Sequence, residues 1–337
     1  MSLLKPSSRT AAYKPALAWF AAIGGFWVFV LVMLGAFTTS IGAGMVFKDW
    51  PLSNGSLNPT GWLSDAAEFA EHSHRLSAEL MSLITIALAL WIWFTEERVW
   101  LRKLAGFAVA LVFSQAIVGG LRVLLERYHV EMIDTSVGRL FAMLHACLAQ
   151  IYVCTLFAIA LSLSRDWLTP ISSAANASLA RLRKIGVVCC VLLLVQLAVA
   201  AIMRHSFAGL AIPTFPESAP HGGLLPVAWD FRVAIHFTHR VMALVLTIAL
   251  LWFAIRIWLE KAAGGGLKQA AGAMVMLLFL QIALGASVIW TTRDPYYTTA
   301  HVIIGACTLA TTFGITWWTH REIIGQPCAC ARETARA

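Results

Sequence analysis

Charge is scarce in this chain. Lys, Arg, Asp and Glu make up 12% of its 337 residues, and 59% are apolar. A soluble domain carries about 25% charged residues, so an ordinary water-soluble protein is excluded. Proline is absent from the interiors of the apolar runs, which removes the broken helices that many transporters build at the membrane midplane. The seven cysteines put no pair into any loop between those runs, so no disulfide framework is indicated. Five lie inside apolar runs and Cys328 and Cys330 lie in a tail read as solvated. The net charge of +8 is spread over short loops without a Lys/Arg-rich run, so nucleic acid is not an expected partner.

The apolar residues are gathered in eight runs, at roughly 16–38, 72–94, 103–124, 138–163, 185–203, 232–257, 269–290 and 298–318. About twenty apolar residues cross a bilayer core as a helix, and lipid leaves backbone groups no partner outside such a helix. The expected fold is an all-α polytopic membrane protein with eight transmembrane helices. The N-terminus, the alternate short connections and the C-terminal tail hold 16 of the 25 Lys and Arg, which places both termini in the cytoplasm. The basic stretch at Lys5, Arg9 and Lys14 leads into a full-length span and is read as an uncleaved cytoplasmic N-terminus. A bacterial inner membrane is the expected location. Two long outer loops rich in Gly and Pro, 39–71 and 204–231, read as lids.

The halves repeat. Ala43-Gly44-Met45 with Trp50-Pro51 recurs as Ala208-Gly209-Leu210 with Phe215-Pro216, and His74-Arg75 recurs as His239-Arg240, both at an offset of 165. Gln115-x-x-x-Gly119 recurs as Gln281-x-x-x-Gly285 at 166, and His145 recurs as His301 at 156. The chain therefore reads as two pseudo-symmetric four-helix bundles that face the same way. Their expected boundaries are 1–166 for the N-terminal unit, 167–184 for a cytoplasmic linker, 185–320 for the C-terminal unit and 321–337 for a cytoplasmic tail.

Nine of the ten histidines fall in outer loops or near outer helix ends; His320 is inside. Four of them, His74, His145, His239 and His301, recur by the repeat at similar depth. The second and fourth helices of each unit can present one imidazole apiece to a bundle interior. Two imidazoles flanking one planar cofactor make a bis-histidine haem site. Zinc or copper would call for further Cys, Asp or His beside each pair. Arg75 and Arg240 follow the first ligand of each pair and suit a haem propionate; Arg122 and Arg204, with Arg293, are further candidates. Gln115 and Gln281 read as inter-helix hydrogen-bonding residues.

The halves differ three residues before the ligand, where Glu71 stands opposite His236. Residues i and i+3 share a helix face, so Glu71 should point where His74 points. A carboxylate there can act as a general base or stabilise positive charge. The expectation is a division of labour: the first half holds a haem that is acted upon, the second a haem that passes electrons. Glu71 could instead cap its helix or pair with Arg75, and His72 is given no role.

These residues resemble the haem A synthase family. The matching pieces are EHSHR (71–75), QAIVGGLRVL (115–124), His145 in FAMLHACLAQ, RHSFAGLAIPTFP (204–216), IHFTHR (235–240), QIALGASVIW (281–290) and HVIIGA (301–306), with GAGMVFKDWP (42–51) similar to the family's first outer loop. The resemblance implies an enzyme of cytochrome oxidase assembly that oxidises a methyl group of haem O to the formyl group of haem A. It implies that His74 and His145 bracket the substrate haem, that His239 and His301 ligate a haem b, and that Glu71 is the catalytic carboxylate. Implied partners are a haem O synthase, terminal oxidase assembly factors, an electron partner, membrane lipid and further copies of the chain. The outer-loop cysteine pairs of some members are missing from 39–71 and 204–231, which excludes thiol-based electron delivery there.

Two other readings stay open. A di-haem b-type cytochrome would do electron transfer without substrate chemistry, although no span has the paired histidines about thirteen residues apart that stack haems across a membrane. A haem transporter would use the repeat for alternating access.

Overall fold

The computed structural model describes residues 12–169, 173–219 and 222–324. Cys328, Cys330, His221 and parts of the expected linker and tail lie outside these. Among the described residues, eight helices are long and apolar enough to cross a membrane. In the first half they are α1 (Pro15–Ser40), α2 (Ala66–Thr95), α3 (Val99–Leu124) and α4 (Val137–Leu163). A two-residue pairing of β1 (His129–Val130) with β2 (Thr135–Ser136) lies between α3 and α4. The short α5 (Ser173–Ser178) leads to α6 (Ala180–His205), α7 (Phe231–Leu259), α8 (Gly265–Trp290) and α9 (Pro295–Thr319).

Helix starts follow from local chemistry. Asp65, Ser136, Asp230 and Asp294 each accept backbone N–H bonds in the first turn of α2, α4, α7 and α9. These four helices carry the repeated histidines. The other four long helices lack such a cap. A cap stabilises a helix by about 1 kcal/mol, and here it anchors the end nearest each histidine. Asp65 also explains why α2 begins six residues before the apolar run. Its first three turns carry Glu68, Glu71, His72, His74 and Arg75, so hydropathy does not mark them.

Each unit packs around its own core. Leu17, Met81, Leu101, Leu156 and Ile159 fill the first, and Leu182, Leu250, Phe253, Met274 and Leu309 fill the second. Helices α4 and α9 straddle the two, because Ala310 joins the first core and Cys154 the second. Lipid supplies no hydrophobic drive between helices, so close approach depends on small residues. Gly186 on α6 shows this: a Cβ there would lie 2.3 Å from Thr316 Oγ1 on α9. Polar bonds also join the halves. Arg204 donates to Ala36 O and Ser40 Oγ, both at 2.9 Å, and Trp317 Nε1 donates to Ser162 Oγ at 3.0 Å.

The repeat extends to the outer loops. Ala43 N–H donates to Thr38 O and Ala208 N–H to Met203 O, each at 2.9 Å. The residue before each is left-handed, Gly42 at φ 74° and Phe207 at φ 56°. Glycine takes that conformation without steric cost, whereas Phe207 is held there by the turn. The loops dock on the helices: a Cβ on Gly120 of α3 would lie 2.5 Å from the Trp50 ring.

Candidate functional site

The four repeated histidines stand about two turns inside the capped ends of α2, α4, α7 and α9, as their positions in the helix ranges show. In the second half the His239 and His301 rings face one another at 6.5 Å between centroids, tilted by 64°. Two bonds of about 2 Å from one metal to imidazole nitrogens, with roughly 1 Å more from each nitrogen to its ring centre, give about 6 Å. His301 Nδ1–H donates to Gln281 O at 3.1 Å, which leaves Nε2 its lone pair, the tautomer that ligates iron. In the first half, His74 Nδ1 and His145 Nδ1 are buried and form no hydrogen bond of ordinary geometry among the described residues, with the backbone of Leu31 and of Gln115 as their nearest polar neighbours. Among the described residues no three His, Cys, Asp or Glu side chains converge, so each imidazole pair stands by itself. A two-imidazole donor set fits haem.

The repeated Gln-x-x-x-Gly pattern has a local explanation. Gln115 Nε2 donates to His145 O at 3.1 Å, and Gln281 Nε2 lies 3.3 Å from His301 Nε2. The glycine one turn on makes room for the ring. A Cβ on Gly119 would lie 3.1 Å from His145 Cε1, and one on Gly285 would lie 3.0 Å from His301 Cε1. Gly35 of α1 serves His74 in the same way, at 2.8 Å. His239 is held differently: Gln196 Nε2 on α6 lies 3.0 Å from its Nδ1 and donates to its carbonyl at 2.9 Å. Gln196 has Leu31 as its counterpart, so the repeat gave no signal for it.

The arginines beside the repeated histidines hold the outer loops. Arg75 donates to Asp49 O, Leu52 O and Phe47 O at 2.9, 2.6 and 3.3 Å, and to Glu71 Oε1 at 2.6 Å. Arg240 donates to Ile212 O, Thr214 O and Glu217 O at 3.0, 2.6 and 3.0 Å. These carbonyls match one for one at the offset of 165. Each guanidinium is thus a clamp on its outer loop, a role that the propionate expectation did not include. A fan of five N–H donors can satisfy several carbonyls at once; sequence spacing does not show that a loop folds over it.

Glu71 and His236 belong to the same clamp. Glu71 is 4% exposed. Its Oε2 accepts from Val46 N–H at 2.8 Å and Phe47 N–H at 3.1 Å, while Oε1 takes Arg75. His236, 3% exposed, accepts from Ile212 N–H at 3.2 Å through Nδ1, and its Nε2 lies 3.3 Å from Arg240 Nε. Ile212 is the counterpart of Phe47. The two residues hold one place in the fold, and what differs is charge: a neutral imidazole accepts at only one nitrogen.

Arg122 and Arg204 lie in the last turns of α3 and α6. Arg122 reaches Met45 Sδ at 2.5 Å and Glu126 at 3.9 Å. His205 of α6, which drew no notice in the sequence, has Arg204, Arg122, His145 and Arg139 as its electrostatic neighbours. His72 also finds a place. It is 3% exposed, pairs with Ser53 Oγ at 3.1 Å and meets the Trp62 ring at 4.7 Å. Its counterpart Phe237 meets Trp229 at 5.3 Å, so His72 fills an aromatic slot under the lid.

Comparison with known proteins agrees with this architecture. The chain is 27% identical over 292 residues to a heme A synthase of Bacillus licheniformis, covering 83% of this chain and 88% of that one. It is 26% identical over 308 residues to a heme A synthase of Geobacillus kaustophilus, covering 86% and 87%. A heme A synthase of Maricaulis maris is 37% identical over 101 residues, 27% of this chain and 29% of that one. The family model described as cytochrome oxidase assembly protein, COX15-CtaA, matches residues 63–313. The chain belongs to the COX15-CtaA family of cytochrome oxidase assembly proteins.

Proposed function

We propose that this protein is a haem A synthase of a bacterial inner membrane, oxidising the methyl group of haem O to the formyl group of haem A. The observation that carries this reading is the duplicated imidazole pair, set at one depth in both halves of a chain from this family. The N-terminal unit, 1–166, takes the substrate haem between His74 and His145. The C-terminal unit, 185–320, holds a haem b between His239 and His301. Bound there, haem b supplies one-electron transfer. Gly35, Gly119, Gly285 and the glutamines orient the imidazoles, and Arg122 and Arg204 receive propionates at the periplasmic end. A haem O synthase upstream, an electron partner, oxidase assembly factors and further copies of the chain are the proposed associates.

Glu71 acts electrostatically in this scheme. A carboxylate held by a guanidinium and two amides is fixed in position and brings negative charge beside the substrate ligand. Fixed charge of that kind stabilises positive charge developing on a substrate. His236 holds the second loop without that charge.

Co-expression with a haem O synthase tests the reading. Extracted pigments should contain haem A. His74→Ala and His145→Ala should abolish it while haem b stays bound; His239→Ala and His301→Ala should remove haem b. Haem b as the only pigment throughout would instead mark an electron-transfer cytochrome.

A further inference from the structure

Resting on the assignment of His74 and His145 to the substrate, we infer that Ser77 selects haem O over protohaem by hydrogen bonding to its side-chain hydroxyl. Haem O carries a hydroxyl on the long alkyl group attached to its ring, where protohaem carries a vinyl group. A protein holding both haems in look-alike halves needs a means to tell them apart. Apolar packing discriminates weakly, whereas a buried hydrogen-bonding group rejects an analogue that leaves it unpaired.

The halves differ in the required way. Ser77 lies one turn inward of His74 on the same face of α2, because i and i+3 align. It is 5% exposed, and among the described residues its Oγ has no hydrogen-bond partner. Its counterpart at the offset of 165 is Met242, so the second half has no hydroxyl at this place. With propionates outward at Arg122 and Arg204, the opposite edge of a haem faces the turn that holds Ser77, whose hydroxyl can donate or accept.

The test is haem binding by the full-length protein, purified in detergent from cells without a haem O synthase. Haem O and protohaem are titrated separately and followed by Soret absorption. The unaltered protein should prefer haem O by about tenfold or more, the effect of one good hydrogen bond. Ser77→Ala, which removes only a hydroxyl, should bring that ratio close to one while the haem b spectrum of the second half stays intact, and Ser77→Thr, which keeps a hydroxyl, should retain the preference. An unchanged ratio in Ser77→Ala would overturn the inference. Failure of the underlying assignment looks different: haem O would then bind equally well to a His74→Ala, His145→Ala protein.

Discussion

At Gly119 and Gly285, a single methyl group decides whether an imidazole can keep its orientation. Cβ positions 3.1 and 3.0 Å from the His145 and His301 rings leave no slack, and overpacking costs about 1–3 kcal/mol. Gly119→Ala should disturb the first-half haem alone and Gly285→Ala the second-half haem alone, each read as a shift in Soret and electron paramagnetic resonance signals. The sequence displayed both glycines through the repeat, but their purpose appeared only when the rings were placed against them. Glu71 separates clamp from charge. Glu71→Ala should keep haem and lose haem A from the extract. Glu71→His, which copies the second half, should keep the first loop ordered and still lose the product. Full activity in the histidine variant would leave Glu71 only its loop-holding role. Residue spacing put Glu71 on the face of His74, and that was legible; the three donors that come to it arrive from a loop 24 or 25 residues earlier and from the next helical turn, which no spacing rule could supply.

The elements themselves were legible where lipid dictates them. Apolar runs set all eight spans, and the polar start of α2 escaped because its signal is a cap, not hydropathy. The outer loops were recognised as lids by composition, but their attachment was not. Each hangs from one arginine through three carbonyls. A hydrogen bond to a charged donor contributes about 1.5–3 kcal/mol. Arg75→Leu should therefore raise hydrogen exchange across 46–52 at least tenfold and leave 211–217 unchanged, and Arg240→Leu should do the reverse. Asp49, in the first lid, adds a pH term. Burial raises its pKa, but the amides of Gly55 and Asn54 and the charge of Arg75 outweigh this and hold it below the usual carboxylate value. A lowered folded pKa contributes stability that is present above the unfolded value and lost as pH falls through the folded one. Protection of the Asn54 and Gly55 amides, corrected for intrinsic exchange, should be level above about pH 4 and fall below it.

Across the whole molecule, the two units meet through α4, α6, α9 and α1, and the contact relies on shape. Gly314→Ala would place a methyl group 3.3 Å from Leu161 Cδ1 of α4, across the seam. It should lower the detergent-solubilised melting temperature without altering either haem spectrum. The repeat predicted two like units, yet the seam between them was invisible in the sequence, because Arg204, Ser40 and Ser162 are not repeated positions. The even number of spans in each unit has a consequence for assembly. After four crossings the chain is back on the side where it began, so the second unit can start afresh without inversion. Each half carries its own caps, core, imidazole pair and lid clamp. Cut between Thr169 and Ser173 and made as two polypeptides, the halves should insert separately, find one another in the bilayer, and rebuild a protein with both haems.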